Sequence, residues 1–301
     1  MNASYFDAHC DTLTAMDGRY GRIRLEPENE DFERRGQIFA VCGDIRPRPF
    51  GDLLENCVKS LQGFKNVRLC RNSADLISAE NEKKTAAFLS IEGAEVIDCD
   101  EQRLGEAFEL GVRLIGPTWN IANGLAGTCV RHRKKGLTKK GRSFVKKALE
   151  TGMVLDISHI SDAAAEEIIE LSGGRVIASH SNSRRVCANP RNLPDELFIS
   201  LSKRGGVCGI NLYPPFLNGT EKAGIKDVLL HIEHFASLFP GADVHIVLGC
   251  DLDGCSNLPE EIETSRDISK IYEALLKENY AEQIVRGIFY DNLRAFLIKA
   301  F

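Results

Sequence analysis

Short apolar runs recur along the chain, with helix-like stretches between them. The runs are Ser4–Ala8, Gln37–Cys42, Ala86–Ile91, Val112–Gly116, Met153–Ile157, Arg175–Ser179, Gly206–Leu212 and Val244–Leu248, eight in all. Their centres advance by roughly 34 residues at a time, which matches the ~30 or more residues of a strand plus its crossover helix. Most are continuous rather than alternating in hydrophobicity, the pattern of parallel strands covered on both faces. Between them, Thr138–Glu150 sets Phe144, Val145 and Ala148 on one face and lysines on the other. Ser161 and Asp162 open Ala163–Leu171 as an N-cap region, with Gly173 and Gly174 after it. Glu106–Leu110 closes at Gly111, and Pro194–Lys203 and Lys226–Leu238 have the same character. Eight strands alternating with helices in 301 residues predict one (β/α)8 TIM barrel spanning residues 1–301 as a single domain. An open doubly wound sheet is the alternative. No G-x-G-x-x-G follows the first run and no P-loop is present, so a nucleotide-binding version of that sheet has no support.

Charge and composition narrow the partners. The chain carries 38 Lys and Arg against 43 Asp and Glu, a net charge of −5 with His neutral. A mildly acidic surface argues against a nucleic-acid partner. Nine Lys and Arg do fall between Arg131 and Lys147, but Phe144 there belongs to the apolar helix face, and a solvated surface is the better reading. No apolar run approaches the ~18 residues of a membrane span. Met1 to Asp11 shows neither a basic nor an apolar signal-peptide region, and Phe301 directly follows a helix-like segment without an anchor pattern. No membrane partner and a cytoplasmic location are therefore expected. The 10 cysteines are scattered without C-x-x-C spacing, as free thiols in a reducing compartment would be.

In a barrel of this kind the reactive groups gather at the C-terminal ends of the strands. The first run leads into His9-Cys10-Asp11, the third into Glu92-Gly93, the fifth into Ser158-His159, the sixth into His180-Ser181 and the eighth into Asp251-Leu252-Asp253. Three of the seven histidines thus stand at strand ends with carboxylates beside them. Imidazole and carboxylate together suit zinc and related divalent ions. Residues i and i+2 of a strand point the same way, so His9 and Asp11 can serve one ion from one strand. Each residue also has a plainer reading. His9 could be a hydrogen-bonded core histidine, His159 and His180 neighbours of capping serines, Glu92 a first-turn helix residue, and Asp251 and Asp253 caps of the following segment. Dismissing the site requires all of these at once. His132, His231 and His234 read as solvated or structural, and His245 stands at the wrong end of its strand.

These segments, taken in order, resemble the membrane dipeptidase (renal dipeptidase) family of zinc peptidases, metal-dependent barrels of the amidohydrolase type. The resemblance rests on Asp7-Ala8-His9-Cys10-Asp11-Thr12, Ser90-Ile91-Glu92-Gly93, Leu110-Gly111-Val112-Arg113, Asp156-Ile157-Ser158-His159, Ser179-His180-Ser181, Arg191-Asn192-Leu193-Pro194-Asp195, Asn211-Leu212-Tyr213, Gly249-Cys250-Asp251-Leu252-Asp253-Gly254 and Asn292-Leu293-Arg294-Ala295-Phe296. It implies two zinc ions per chain. His9 and Asp11 would hold one, His159 and His180 the other, with Glu92 and a water or hydroxide bridging them. Asp251 would be the catalytic acid and base. Arg191 would grip the terminal carboxylate of a small dipeptide substrate, with Tyr213 lining that end of the pocket. The resemblance leaves a homodimer open, since homodimers occur in the family.

The chain departs from the animal members at Trp119, where they carry a histidine thought to polarise the scissile carbonyl. Trp can donate one hydrogen bond but takes up no proton, which leaves Asn120 or Asn123 to supply that contact. The expected activity is hydrolysis of L-L dipeptides, with tolerance of a D-residue at the C-terminal position. Two alternatives stand beside it: hydrolysis of another small amide or lactone on the same metal site, and a barrel that has lost catalysis. The second predicts damaged ligands, and none of the five ligand positions is substituted.

Overall fold

The computed structural model describes residues 3–16, 25, 32–42 and 52–301. The strands among them are β1 (Tyr5–Cys10), β2 (Arg35–Cys42), β3 (Val67–Leu69), β4 (Thr85–Glu92), β5 (Val112–Gly116), β6 (Val154–Asp156), β7 (Val176–Ala178), β8 (Val207–Ile210) and β9 (Ile246–Leu248). All their pairings are parallel. Pairing of β2 with β4 and of β1 with β9 closes eight of them into a barrel in chain order. This is the expected (β/α)8 barrel. Each of the eight apolar runs supplies one barrel strand.

Two local differences have physical causes. The ninth strand, β3, is three half-buried residues along the first half of β4, pairing Val67 with Thr85 and Leu69 with Ala87. β5 then takes over the same edge from Leu89 to Glu92. A strand of three half-buried residues leaves no hydrophobic period to read. The last run is also shorter than expected: Val244 and His245 belong to a 3-10 turn, Ala242–His245, and only Ile246–Leu248 is strand. Gly241 in the left-handed conformation (φ 84°) starts that turn.

One apolar cluster takes a residue from every barrel strand: Phe6, Ile38, Phe88, Leu114, Val154, Ile177, Val207 and Val247. This is the packed barrel interior. Leu293, Phe296 and Leu297 of the last helix, Asn292–Ala300, join it. Asn292 donates to the Ile246 carbonyl at 2.8 Å, and Arg294 pairs with Glu80 just ahead of β4. The helix therefore plugs the end where the strands begin and leaves the other end open.

A second cluster lies between the barrel and its helices. Helix Lys139–Thr151 contributes Phe144, Val145 and Ala148 to it, with Thr138 accepting the Gly141 N–H as N-cap. The nine basic residues from Arg131 to Lys147 are exposed, as a solvated face requires. None of the ten cysteines forms a disulfide, and all are buried. Among the described residues, no helix is long and apolar enough to cross a membrane.

Candidate active site

The open end of the barrel gathers the strand-end residues. In β4, Ala86, Phe88, Ser90 and Glu92 alternate on one side, and Ala86 and Phe88 lie in the interior cluster. Glu92 is thus the last inward-facing residue of its strand. β1 reaches the same result differently. Phe6 and Ala8 are interior, and the β1–β2 register then shifts between Asp7 and Cys10. That irregularity sends His9 and, two residues on, Asp11 into the mouth. Past β9 the backbone takes positive φ at both Asp251 (58°) and Asp253 (66°). Such angles are uncommon for non-glycine residues, with Asp among the more tolerant, and they turn these side chains at the strand end.

Glu92 is the centre. Its Oε1 lies 2.7 Å from His159 Nε2, 3.3 Å from His180 Nε2 and 3.6 Å from His9 Nε2. His9 Nε2 is also 3.6 Å from Asp11 Oδ2 and 4.0 Å from Asp251 Oδ1. All six side chains are buried. The structure therefore brings together every expected metal ligand and the expected acid and base. Their donor atoms form three overlapping groups, each within 4.8 Å: His9–Asp11–Glu92, Glu92–His159–His180 and His9–His180–Asp251.

Carboxylates and burial together set the electrostatics of the cage. Burial pulls the His9 imidazole down, but Glu92, Asp11 and Asp251 outweigh it and push it up to about 10. Burial and then the Glu92 charge raise Asp11 to about 7. Burial, opposed by His9 and reinforced by Glu92, raises Asp251 to about 6. Glu92 itself is held well below its ordinary value; burial opposes this, and the facing histidines prevail. His159 is lowered to about 4 by burial and by Arg191. The surrounding carboxylates thus favour positive charge at His9.

A divalent ion fits the donors present. His9 Nε2 and Asp11 Oδ1 are buried polar atoms with no hydrogen-bond partner among the described residues. Such atoms are costly to leave unsatisfied, and an ion would satisfy both. Imidazole nitrogen and carboxylate oxygen are zinc's usual protein donors besides thiolate.

The surrounding cavity measures about 500 Å³ and is lined by Trp119, Asn120, Arg191, Tyr213 and Phe216 as well as every cage residue but His9. Arg191 is 5% exposed, with its terminal nitrogens on the Ser158 and His180 carbonyls and its guanidinium over the Phe216 ring. Tyr213 meets Phe216 edge-on. Asn120 Oδ1 sits 2.9 Å from His159 Nδ1, so it orients that ring. Asn123 is committed elsewhere: its amide donates to Glu95 and to the Pro117 carbonyl, holding the loop after β5. Of the two asparagines that could contact a substrate carbonyl, only Asn120 lines the cavity.

Other side chains, given no role in the sequence reading, complete the surroundings of the cage. Asn211 donates to Asp251 Oδ2 at 2.9 Å. Asp253 lines the cavity and accepts the Thr12 hydroxyl at 2.6 Å. Asp156 and Ser179 stand behind the histidines. Each ends or follows a barrel strand, so the strand-end rule that found the cage points at them too. The remaining histidines are structural or exposed. His231 is fully buried, His234 pairs with Asp195 at 2.9 Å, His245 contacts the Gly206 carbonyl, and His132 is exposed.

A family model described as membrane dipeptidase (Peptidase family M19) matches residues 52–298. Dipeptidase 3 of Rattus norvegicus is 30% identical over 217 residues, 70% of this chain and 44% of that protein. An uncharacterized protein in the pqqA 5′ region of Klebsiella pneumoniae is 29% identical over 236 residues, 75% of this chain and 86% of that protein. The matched region thus spans less than half of the rat protein's length. Among solved structures, a metallo peptidase from Rhodobacter sphaeroides, liganded with a phosphinate mimic of the dipeptide L-Ala-D-Ala, superposes with a TM-score of 0.88 over all of both chains at 22% identity. That likeness concerns the fold.

Proposed function

The chain belongs to the membrane dipeptidase family of metallopeptidases, and from that premise we propose that it is a zinc-dependent dipeptidase acting through two ions held by His9, Asp11, Glu92, His159 and His180. The observation that carries this reading is the single Glu92 oxygen facing three imidazoles, with Asp11 and Asp251 near the same His9 nitrogen. Glu92 approaches His9 as well as His159 and His180, so it would be the carboxylate shared by the two ions. Bound zinc supplies Lewis acidity toward the scissile carbonyl and lowers the pKa of water toward about 7.

The protein's own groups do the rest. Asp251 is fixed through Oδ2 by Asn211, and burial raises its pKa, which suits a group that takes a proton from water and returns it to the leaving amine. Arg191 is held in place by two backbone carbonyls and supplies the positive charge for a free C-terminal carboxylate. That charge favours a dipeptide over a lactone or cyclic amide, which the same cage could otherwise serve. Asn120 orients His159, and Trp119 shapes the wall beside it, its ring 6.3 Å from the His159 ring. The solved relative liganded with a phosphinate mimic of L-Ala-D-Ala extends the expected substrates to those with a D-residue at the C-terminal position.

The test is hydrolysis of a panel of L-L and L-D dipeptides by zinc-loaded protein beside a chelator-treated sample. Cleavage that disappears with chelator and returns with zinc is the expected result. A sample holding two zinc ions per chain that cleaves no dipeptide overturns the reading.

A further inference from the structure

Behind the cage, Asp156 ends β6 and Ser179 directly follows β7, and both are buried. Asp156 Oδ1 takes three donors: the Ser158 N–H at 3.0 Å, the Ser158 hydroxyl at 2.7 Å and the Ser179 N–H at 3.1 Å. Its Oδ2 takes the Ser179 hydroxyl in a short contact. A hydroxyl has one proton and two lone pairs. With that proton on Asp156, Ser179 Oγ can only accept from its other neighbours. These are His180 Nδ1 at 2.7 Å, His9 Nδ1 at 3.3 Å and the Ser158 hydroxyl at 3.2 Å. The Ser158 proton is itself directed to Asp156, which leaves the two imidazoles as the donors to Ser179.

From this we propose that Asp156 and Ser179 act as one tautomer clamp for two histidines of the cage. The Ser179 oxygen keeps the proton of both His9 and His180 on Nδ1 and turns each Nε2 lone pair toward Glu92. The inference rests on the metal-binding reading above and deepens it. His9 and His180 belong to different halves of the cage, so one serine hydroxyl orients a ligand for each ion. The two rings are also held close, with centroids 3.7 Å apart. Asp156 and Ser179 are positioning residues: they touch neither substrate nor ion, and they act through the ligands. Outer partners that fix a ligand's tautomer are worth about 10- to 100-fold in metal affinity.

The arrangement predicts the effect of an isosteric change. In Asp156→Asn the amide oxygen will take the Oδ1 place, because three donors face it. The amide NH2 then points at Ser179 and reverses that hydroxyl, whose proton turns toward Nδ1 of the histidines. This disfavours the Nδ1–H form that both ligands need. Ser179→Ala removes the acceptor without reversing it.

The experiment reads tautomers and metal affinity, not hydrolysis. In long-range 1H–15N spectra of zinc-loaded, 15N-histidine-labelled wild type, His9 and His180 should carry the proton on Nδ1. Chelator competition should show zinc affinity lowered by about 10- to 100-fold in folded Asp156→Asn and Ser179→Ala. Bare Nδ1 atoms in the zinc-loaded wild type overturn the clamp. So does undiminished affinity in either folded variant. If a variant fails to fold, the wild-type spectrum decides alone. A wild type that takes up no zinc overturns the metal reading and this inference with it, whereas zinc uptake with the wrong tautomer overturns the clamp only.

Discussion

Asn211, just past β8, donates its side-chain amide to Oδ2 of Asp251, just past β9, at 2.9 Å. The amide cannot easily flip, because its carbonyl accepts the Tyr213 N–H at 2.6 Å. Its backbone is pinned in turn by Asn182, which bonds both the Asn211 N–H and carbonyl at 3.0 Å. Asp251 therefore has one oxygen fixed and the other turned to His9, 4.0 Å away. A group that must exchange a proton with a reacting atom gains from such fixed aim.

Asp251→Asn separates proton transfer from metal holding. The variant should fold and keep its zinc, while kcat falls by about 100-fold or more, the usual scale for a general acid and base. Zinc content and kcat measured on the same preparation check this. Turnover at the wild-type level would remove Asp251 from the chemistry and turn attention to Asp253.

Glu92→Gln should act on the metals first. The substitution keeps one oxygen but removes the charge that faces three imidazoles within 3.6 Å. Zinc retained after dialysis against a weak chelator should drop below two per chain. Two ions held as tightly as in the wild type would refute a bridging role.

Gly254 tests how tightly the cage is built. A Cβ there would stand 2.2 Å from Asp11 Oδ2 and 2.3 Å from Asp251 Oδ1, closer than real contacts allow. Gly254→Ala must push these carboxylates aside or shift the backbone, at a cost of about 1–3 kcal/mol. A lower Tm together with reduced zinc occupancy is expected. An unchanged Tm with full occupancy would mean that the loop after β9 yields freely.

The sequence shows the barrel because its parallel strands are buried on both faces and so read as unbroken apolar runs. β3 escapes notice because its three residues are half-buried and simply extend an edge of β4. The cage is legible for a related reason. His9, Glu92, His159, His180 and Asp251 all stand where an apolar run stops, and barrel closure brings such places together. What surrounds the cage depends on pairs distant in sequence. Nothing local in Ser179 says that Asp156 lies behind it, or in Gly254 that two carboxylates lie against it. The turn of Asn123 away from the cavity depends on Glu95 and the Pro117 carbonyl in the same manner. Local residue types place the donors, and the register between strands decides which of them meet.

His231, far from this chemistry in role, should make stability depend on pH. It is fully buried, with Nδ1 accepting the Ser183 N–H at 3.1 Å and Nε2 donating to the Leu217 carbonyl at 2.8 Å. The first bond requires the neutral ring, because a protonated Nδ1 cannot accept, whereas the second survives protonation. Burial lowers its pKa from 6.5 to about 4. The unfolded chain therefore takes up this proton at a higher pH than the folded one. The stabilisation is complete above about pH 6.5 and fades as pH falls toward about 4. At 1.36 kcal/mol per pKa unit, about 2 kcal/mol should be lost between about pH 7.5 and about pH 5. Other groups titrate over the same range, so the comparison is with His231→Gln. That variant loses the acceptor for the Ser183 N–H and should be less stable near neutrality by about 1–3 kcal/mol. Its deficit should then shrink by about 2 kcal/mol on going to about pH 5, because it no longer contains the group that protonates. Urea denaturation of both proteins at the two pH values measures the difference, and a deficit independent of pH would show that His231 is not held neutral by the fold.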